Sequence, residues 1–124
     1  GDTVLYNGGN ALDYDTAPGA GTAGTVTLSE TAANFKELTV FGKYNGYETS
    51  VTLTNPDGLD SALQLFIPDA GPATLTYIKS RAIFISGTSI TSTGWTAMWI
   101  SDTATHFDAV AAPEIAIVRV EGRR

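Results

Sequence analysis

The sequence predicts an antiparallel all-β domain, a β-sandwich or jelly-roll-like fold of about eight to ten strands. Short apolar stretches with period-two alternation recur every ~8–12 residues, which is typical of such folds. Turn residues separate these stretches, and no strand alternates with a helix. The chain has 124 residues, of which 43% are hydrophobic. We therefore expect residues 1–124 to form a single domain.

The first half of the chain contains four predicted strands, which are Thr3–Tyr6, Gly24–Ser29, Phe35–Gly42 and Tyr47–Thr54. Residues 17–24 are rich in Ala and Gly and predict a flexible connection. Ser29–Asn34 predicts at most one helical turn, because no capping box starts it. The Asn45-Gly46 pair is a strong signal for a hairpin, across which Tyr44 and Tyr47 would form a stabilising pair or present two rings at a tip.

The second half contains five predicted strands, which are Ala62–Ile67, Ala73–Ser86, Ser89–Ser92, Trp95–Ser101 and Glu114–Glu121. The turn Asn55–Gly58 precedes them, because Pro presets φ and Gly accepts a positive φ. Lys79, Arg81 and Arg119 interrupt the apolar strands. We interpret these charges as guards of sheet edges, with solvent exposure or pairing with an acid such as Glu114 across a subunit contact as alternatives.

The chain is acidic, with a formal net charge of −6. It repels phosphate backbones and anionic bilayers, so we expect neither nucleic acid nor a membrane as partner, whereas a neutral glycan is compatible. Cysteine is absent, which excludes disulfides, zinc–thiolate sites and thiol catalysis. No apolar run approaches the ~18 residues of a spanning helix. Because the first residue is Gly rather than Met, we expect either an excised fragment of a longer protein or the remnant of a tag.

Four segments occur in an order that is similar to a known module. They are Gly24–Phe35 (GTVTLSETAANF), Leu38–Lys43 (LTVFGK), Asn55–Gly58 (NPDG) and Ile85–Thr91 (ISGTSIT). In these segments the chain resembles the C-terminal receptor-binding module of phage tail fibre and baseplate proteins from phages of Gram-positive bacteria. The stretch Ile115–Arg123 looks like that module's closing strand, where R-V-x-G recurs. The resemblance covers nearly the whole chain, from about Val4 to Arg124.

The resemblance implies an all-β domain, usually a homotrimer, that recognises cell-wall saccharide on a bacterial host. It also implies a location in the virion, at a tail tip or baseplate, joined to the rest of the tail device. The segment 17–24 is longer, and the loop 43–47 shorter, than in the family pattern. Loops are where specificity varies, so the resemblance names no particular saccharide.

Trp95 and Trp99 are the first candidate ligand-binding residues. Their even spacing on a strand puts both on one face, where two indoles can form a platform for a sugar ring. A core position is the alternative for each tryptophan. Met98 and Ile100 alternate with them and are the better candidates for the core.

Asp102 and His106 are the second pair of candidates, and they lie in a polar segment that predicts a loop. They could make hydrogen bonds to a ligand, or His106 could be an exposed loop residue without a role. A Ser-His-Asp triad has no Gly-x-Ser-x-Gly elbow to support it. Asp13 and Asp15 resemble the start of a calcium loop, but the continuation is missing, so a solvated turn is preferred.

We therefore expect an adhesion domain rather than an enzyme, with no metal and no organic cofactor. The possible acids of a glycosidase, Glu30, Glu37, Glu48 and Asp60, show no pattern that would hold two of them apart in a cleft. The main alternative is a structural trimerisation or assembly module of a tail fibre that binds no sugar. A glycan hydrolase is a third and weaker possibility.

Overall fold

The computed structural model describes residues 2–8, 25–44, 46–69, 75–100, 105–109 and 115–124, with the backbone alone described at 68–69, 75–77, 93–100 and 105–109. Within these ranges the chain forms nine strands and one 3-10 turn, Ala32–Asn34, which confirms the predicted all-β class. The strands are β1 (Thr3–Asn7), β2 (Thr25–Thr27), β3 (Glu37–Tyr44), β4 (Tyr47–Thr54), β5 (Asp60–Asp69), β6 (Leu75–Ser86), β7 (Ser89–Ile100), β8 (Thr105–Ala109) and β9 (Ala116–Arg123).

The strands build two antiparallel sheets. The first sheet has the order β1-β9-β3-β4, and the second has the order β2-β7-β6-β5 with β8 also paired to β7. Two of the predicted strands, Ser89–Ser92 and Trp95–Ser101, merge into the single strand β7. The expectation of a polar loop around His106 is wrong for residues 105–109, which form β8 against the end of β7.

The core lies between the two sheets. Its fully buried side chains come from both sheets and include Leu38, Val40, Leu63, Ile83, Ile85, Ile90, Ile117 and Val120. Val51 and Leu53 alternate along β4 and pack against them from the hairpin. Burial of each such side chain stabilises the fold by about 1.5–3 kcal/mol, which is why period-two apolar positions select this arrangement.

Three β-bulges interrupt the strand pairing of the described residues, and the first is in β1, where the register steps from Val4 to Tyr6 and Leu5 is the extra residue. In β9 the register steps from Arg119 to Ile117 opposite Phe41 and Gly42, so Val118 is the extra residue. Ile117 and Val120 are therefore both buried although they are three residues apart. In β7 the register steps from Ser92 to Gly94, so Thr93 is the extra residue. A bulge reverses which residues of a strand face the core beyond it.

The sandwich has two ends that differ in character. The motif end consists of residues 28–36, 55–59, 85–88 and 122–124. There the hydrogen bond from Asn55 N to Lys36 O (2.7 Å) extends the β3–β4 pairing, and the one from Gly58 N to Ile85 O (2.8 Å) ties the β4–β5 connection to β6 of the second sheet. At the opposite end β3 stops at Tyr44, β7 stops at Ile100, and β6 and β9 begin. No helix among the described residues has the length and apolar character to cross a membrane.

Candidate functional site

The inner face of the second sheet, defined as the face that carries the core, is ordered into rows by the strand register. Directly paired residues of neighbouring strands lie on the same face. The rows are Leu63–Arg81–Trp95, Leu65–Lys79–Ala97–Asp108 and Ile67–Tyr77–Trp99–His106. Leu63 and Leu65 are buried, which identifies this face as the inner one. The rows run from the middle of the sandwich toward the end opposite the motif end.

Three of the four predicted site residues fall on this inner face. Trp95 and Trp99 occupy the first and third rows, and His106 of β8 is the direct cross-strand partner of Trp99. Asp102 lies outside the described residues. The fold therefore brings His106 and Trp99 together by strand pairing.

The register also bears on the alternative that Met98 and Ile100 belong to the core. Met98 pairs with Ile78, which in turn pairs with Phe66, and Phe66 is 65% exposed. The positions of Met98 and Ile100 thus lie on the outer face of the sheet. The tryptophan positions, by contrast, lie on the face that carries the core.

Tyr77 belongs to the candidate site because strand pairing places it beside Trp99, and the sequence analysis did not name it. It is the direct partner of Trp99 on the other side from His106, so the third row carries three ring-bearing residues across three strands. Aromatic rings stack on apolar sugar faces, and tyrosine, indole and imidazole groups form hydrogen bonds with hydroxyls. The row provides the residue types that such recognition requires.

Arg81 is the main residue whose environment the sequence did not reveal. It is 0% exposed, its Nε donates to Ser92 Oγ at 2.5 Å, and its Nη1 donates to the Ile115 carbonyl at 2.7 Å. Within the described part of the chain Nη2 has no acceptor. Burial lowers the pKa of the guanidinium to about 10, so it remains charged at neutral pH. Arg81, Ile83 and Ile85 are each two residues apart, so they lie on the same face of β6. The burial of the two isoleucines on this face is the signal that could have predicted the burial of Arg81.

The interpretation of Lys79, Arg81 and Arg119 as edge guards is wrong. β6 lies between β5 and β7, and β9 lies between β1 and β3, so none of the three residues is on an edge strand. Arg119 instead pairs with Glu121, with Nε 2.7 Å from Oε1. Strand order, which decides where the edges are, does not follow from local sequence.

Tyr44 and Lys79 connect the first sheet to the inner face of the second. The Lys79 Nζ lies 4.7 Å from the centre of the Tyr44 ring, a cation–π contact. Tyr44 also pairs across the hairpin with Tyr47, which confirms the predicted cross-strand pair. Since β3 stops at Tyr44, the row of Trp99 lies one row beyond this contact, toward the end of the sandwich.

Tyr6 is the titratable neighbour of Arg81 on the first sheet. Burial raises the pKa of its phenol above the usual 10.0, and the charge of Arg81 acts in the opposite direction. Tyr6 therefore stays neutral at physiological pH and compensates little of the buried positive charge.

At the motif end, three of the four resemblance segments are hydrogen-bonded to one another. Leu28 N and Ala32 N donate to the carbonyls of Thr88 and Gly87, at 2.7 and 2.9 Å. The Asp57 carboxylate accepts from Gly87 N at 2.8 Å. These hydrogen bonds connect strands, so the three segments contribute to the fold at the motif end. The aromatic row, Tyr77–Trp99–His106, lies at the opposite end of the sandwich.

Arg124 forms an ion pair with Glu30 at the motif end. Its Nη2 lies 2.7 and 2.9 Å from the two carboxylate oxygens, and its guanidinium lies 4.6 Å from the centre of the buried Phe35 ring. The hydrogen bonds from Arg124, and then from Asn34, hold the pKa of Glu30 below its usual 4.5. A carboxylate with a lowered pKa contributes stability above its unfolded pKa, and this contribution is lost as pH falls through the folded value.

We expect Glu30→Gln to make the melting temperature less dependent on pH in the acidic range. The melting temperature of the native chain should fall more steeply than that of Glu30→Gln as the pH falls from the usual carboxyl pKa of about 4.5 through the lower pKa that Glu30 has in the folded protein. Thermal unfolding followed by circular dichroism across this range measures the difference. Glu48→Gln is the matched control, because Glu48 is an exposed carboxylate 3.7 Å from Lys43, and its profile should follow the native one. Parallel profiles for all three proteins would contradict the role of Glu30.

The described part of the chain also carries polar side chains away from the inner face of the second sheet. A shallow cleft is lined by Asp2, Glu37, Thr39, Thr52, Glu121, Gly122 and Arg123. Among the described residues no group of three or more His, Asp or Glu side chains is arranged to hold a metal ion. Glu37 and Glu48 lie at opposite ends of the β3–β4 hairpin, as their register shows. Asp13 and Asp15 lie outside the described residues.

The fold and the inner-face row together define a two-layer antiparallel β-sandwich with a candidate ligand-binding face at one end. Comparisons of the chain with protein-family models, with curated proteins and with solved structures found no match in any of the three. The residues of this chain and the segment resemblance are therefore the grounds on which a function can be inferred.

Proposed function

We propose that this domain is a non-enzymatic adhesion module that recognises saccharide on a bacterial cell surface. The observation that carries the proposal is the row Tyr77–Trp99–His106, which lies one row beyond the contact of Tyr44 with Lys79, whereas Trp95 lies deeper on the same face, in the row of the buried Leu63 and Arg81. Such residues suit the apolar face and the hydroxyls of a sugar ring. The net charge of −6 disfavours the other common ligand of aromatic platforms, single-stranded nucleic acid.

The four ordered segments support a particular biological setting for this adhesion. The domain would be the receptor-binding part of a phage tail device in the virion, would be attached to the rest of that device, and would bind the wall of a Gram-positive host. A homotrimer would present three copies on one tip, which raises avidity for a weakly bound saccharide without any new contact. Because three of the four segments meet at the motif end, substitutions in the aromatic row at the opposite end would leave their hydrogen bonds intact.

Trp99→Ala is expected to abolish most of the binding to cell walls. Truncation of a central aromatic residue in a binding site commonly costs about 2 kcal/mol or more, which is a loss of at least ~30-fold. The assay is decoration of intact Gram-positive cells, across a panel of hosts, by the fluorescently labelled domain. Met98→Ala is the matched control, because Met98 is adjacent on β7 but lies on the outer face, and it should bind like the native domain.

Each outcome of the decoration assay bears on the proposal. Equal binding by Trp99→Ala and the native domain, with both folded by circular dichroism, would show that the aromatic row is not the site. Failure of the native domain to label any cell wall would contradict adhesion. Release of reducing sugar ends from the wall would favour a glycan hydrolase instead.

The outer face of the second sheet favours a second candidate function, a structural assembly module. Its row Phe66–Ile78–Met98–Phe107 is apolar at all four positions, and Phe66 is 65% exposed. An exposed aromatic residue such as Phe66, in a row of apolar residue types, is typical of surfaces that become buried on association. A pure assembly module would self-associate and leave every cell wall unlabelled, which separates it from adhesion in the same assay.

A further inference from the structure

The residues of β7 that lie on the inner face change from even-numbered to odd-numbered positions partway along the strand. Ile90 and Ser92 are buried, and strict alternation from them would continue through Gly94, Thr96, Met98 and Ile100. The register instead pairs Ile83 with Ser92 and Ala82 with Gly94, which leaves Thr93 as a bulged residue. The tryptophan positions belong to the inner face because of this bulge.

Arg81 spans the bulge from the neighbouring strand. Its own cross-strand partner is Trp95, while its Nε donates to the hydroxyl of Ser92, the residue that precedes the bulge. Its Nη1 donates to the Ile115 carbonyl, at the start of the β9 region in the other sheet. The guanidinium is thus held from two directions, and hydrogen bonds from a charged donor are stronger than those between neutral groups.

We propose that Arg81 is a positioning residue of the ligand face: its bond to Ser92 holds the bulge at Thr93, and the bulge places Trp95 and Trp99, rather than Met98 and Ile100, on the inner face. The inference deepens the proposed function, since it rests on the inner face being the ligand face. A slip of one residue in strand pairing moves every side chain to the other face. Arg81 thereby acts through strand register and need not touch the ligand.

The alternative register is a real competitor because its pattern is also apolar. If β7 slipped by one residue, Met98 and Ile100 would lie on the inner face together with Ile90. This is the arrangement that strict alternation along the sequence predicts. Nη2 of Arg81 has no acceptor in the described part of the chain, and burial of a polar group without a partner costs stability. Desolvation of the buried guanidinium opposes folding, and its hydrogen bond to Ser92 beside the bulge is the contribution that we assign to Arg81.

Two engineered cysteine pairs can report the register directly, because the chain has no cysteine. Ser80→Cys with Thr96→Cys joins direct partners of the observed register. Ile78→Cys with Ala97→Cys would join direct partners only after a slip of one residue. Disulfides require such close pairing, so the two pairs discriminate the registers. In the presence of Arg81 we expect the first pair to cross-link under mild oxidation and the second pair to remain reduced.

Arg81→Met is expected to shift cross-linking from the first cysteine pair to the second, and to reduce cell-wall decoration. Deletion of Thr93 supplies the control background, since a regular ladder would keep Trp95 opposite Arg81 without any bulge. There Arg81→Met should change neither the cross-link nor the decoration. If Arg81→Met does not fold, Ser92→Ala removes the same hydrogen bond with little change in volume and should give the same shift.

The outcomes separate this inference from the proposed function. Unchanged cross-linking of the first pair in a folded Arg81→Met or Ser92→Ala protein would overturn the positioning role. A shift of register in a domain that never labels any cell wall would uphold the role of Arg81 and overturn saccharide recognition. An equal response of Arg81→Met with and without Thr93 would show that Arg81 acts on stability and not through the bulge.

Discussion

Leu38→Ala will lower the free energy of unfolding by about 2–5 kcal/mol. Leu38 is fully buried on β3, which lies between β9 and β4 and faces the second sheet. Truncation to Ala removes apolar atoms from the core and leaves a cavity, and the hydrogen-bonded strands on both sides restrict collapse into it. Urea denaturation followed by circular dichroism measures the loss as a lower transition midpoint.

Leu59→Ala is the control for this prediction, because it makes the same chemical change at a position that is 37% exposed. Its expected cost is about 1 kcal/mol, well below that at Leu38, because more than a third of its surface already faces water. Equal losses at Leu38 and Leu59 would contradict the placement of the core between the two sheets.

Gly122→Ala will destabilise the motif end by about 1–3 kcal/mol. A Cβ atom on Gly122 would lie 2.6–2.8 Å from three atoms of the Phe35 ring, well inside van der Waals contact. The ring cannot move away easily, because it is buried and is covered by the guanidinium of Arg124. The same denaturation experiment provides the measurement.

Phe35→Leu tests the cause of that loss in a double-mutant cycle. Replacement of the ring by a smaller side chain opens space for the new methyl group, so Gly122→Ala should cost less in the Phe35→Leu background. A coupling of about 0.5–3 kcal/mol is typical of residues in direct contact. Additive losses would show that the clash with the ring is not the reason for the loss.

The β3–β4 hairpin shows how much of the fold is predictable from local sequence. Leu38 and Val40 are two residues apart in the predicted strand Phe35–Gly42, which places them on one face, and both are fully buried. The Asn45-Gly46 pair indicated the connection, and Gly46 has the positive φ of 84° that such turns require. Side-chain period and turn chemistry are local properties, so a single sequence contains them.

The candidate site was predicted only in part, and β7 shows why. Trp95 and Trp99 were correctly assigned to a common face, but the alternation suggested that Met98 and Ile100 would be the residues on the core side. The bulge at Thr93 reverses that assignment, and it depends on a strand paired from outside the local segment. The pairing of His106 with Trp99 likewise depends on β8, which the polar composition of its segment concealed.

The sequence by itself determined the all-β class, most strand positions and the residue types suited to a sugar, because apolar period and turn residues act over a few neighbouring positions. Tertiary structure decided strand order, the register of β7 and the burial of Arg81. These features depend on pairing between segments far apart in the chain, where a shift of one residue exchanges the two faces of a strand. The same alternation pattern is compatible with either face, and only the assembled sheets select one.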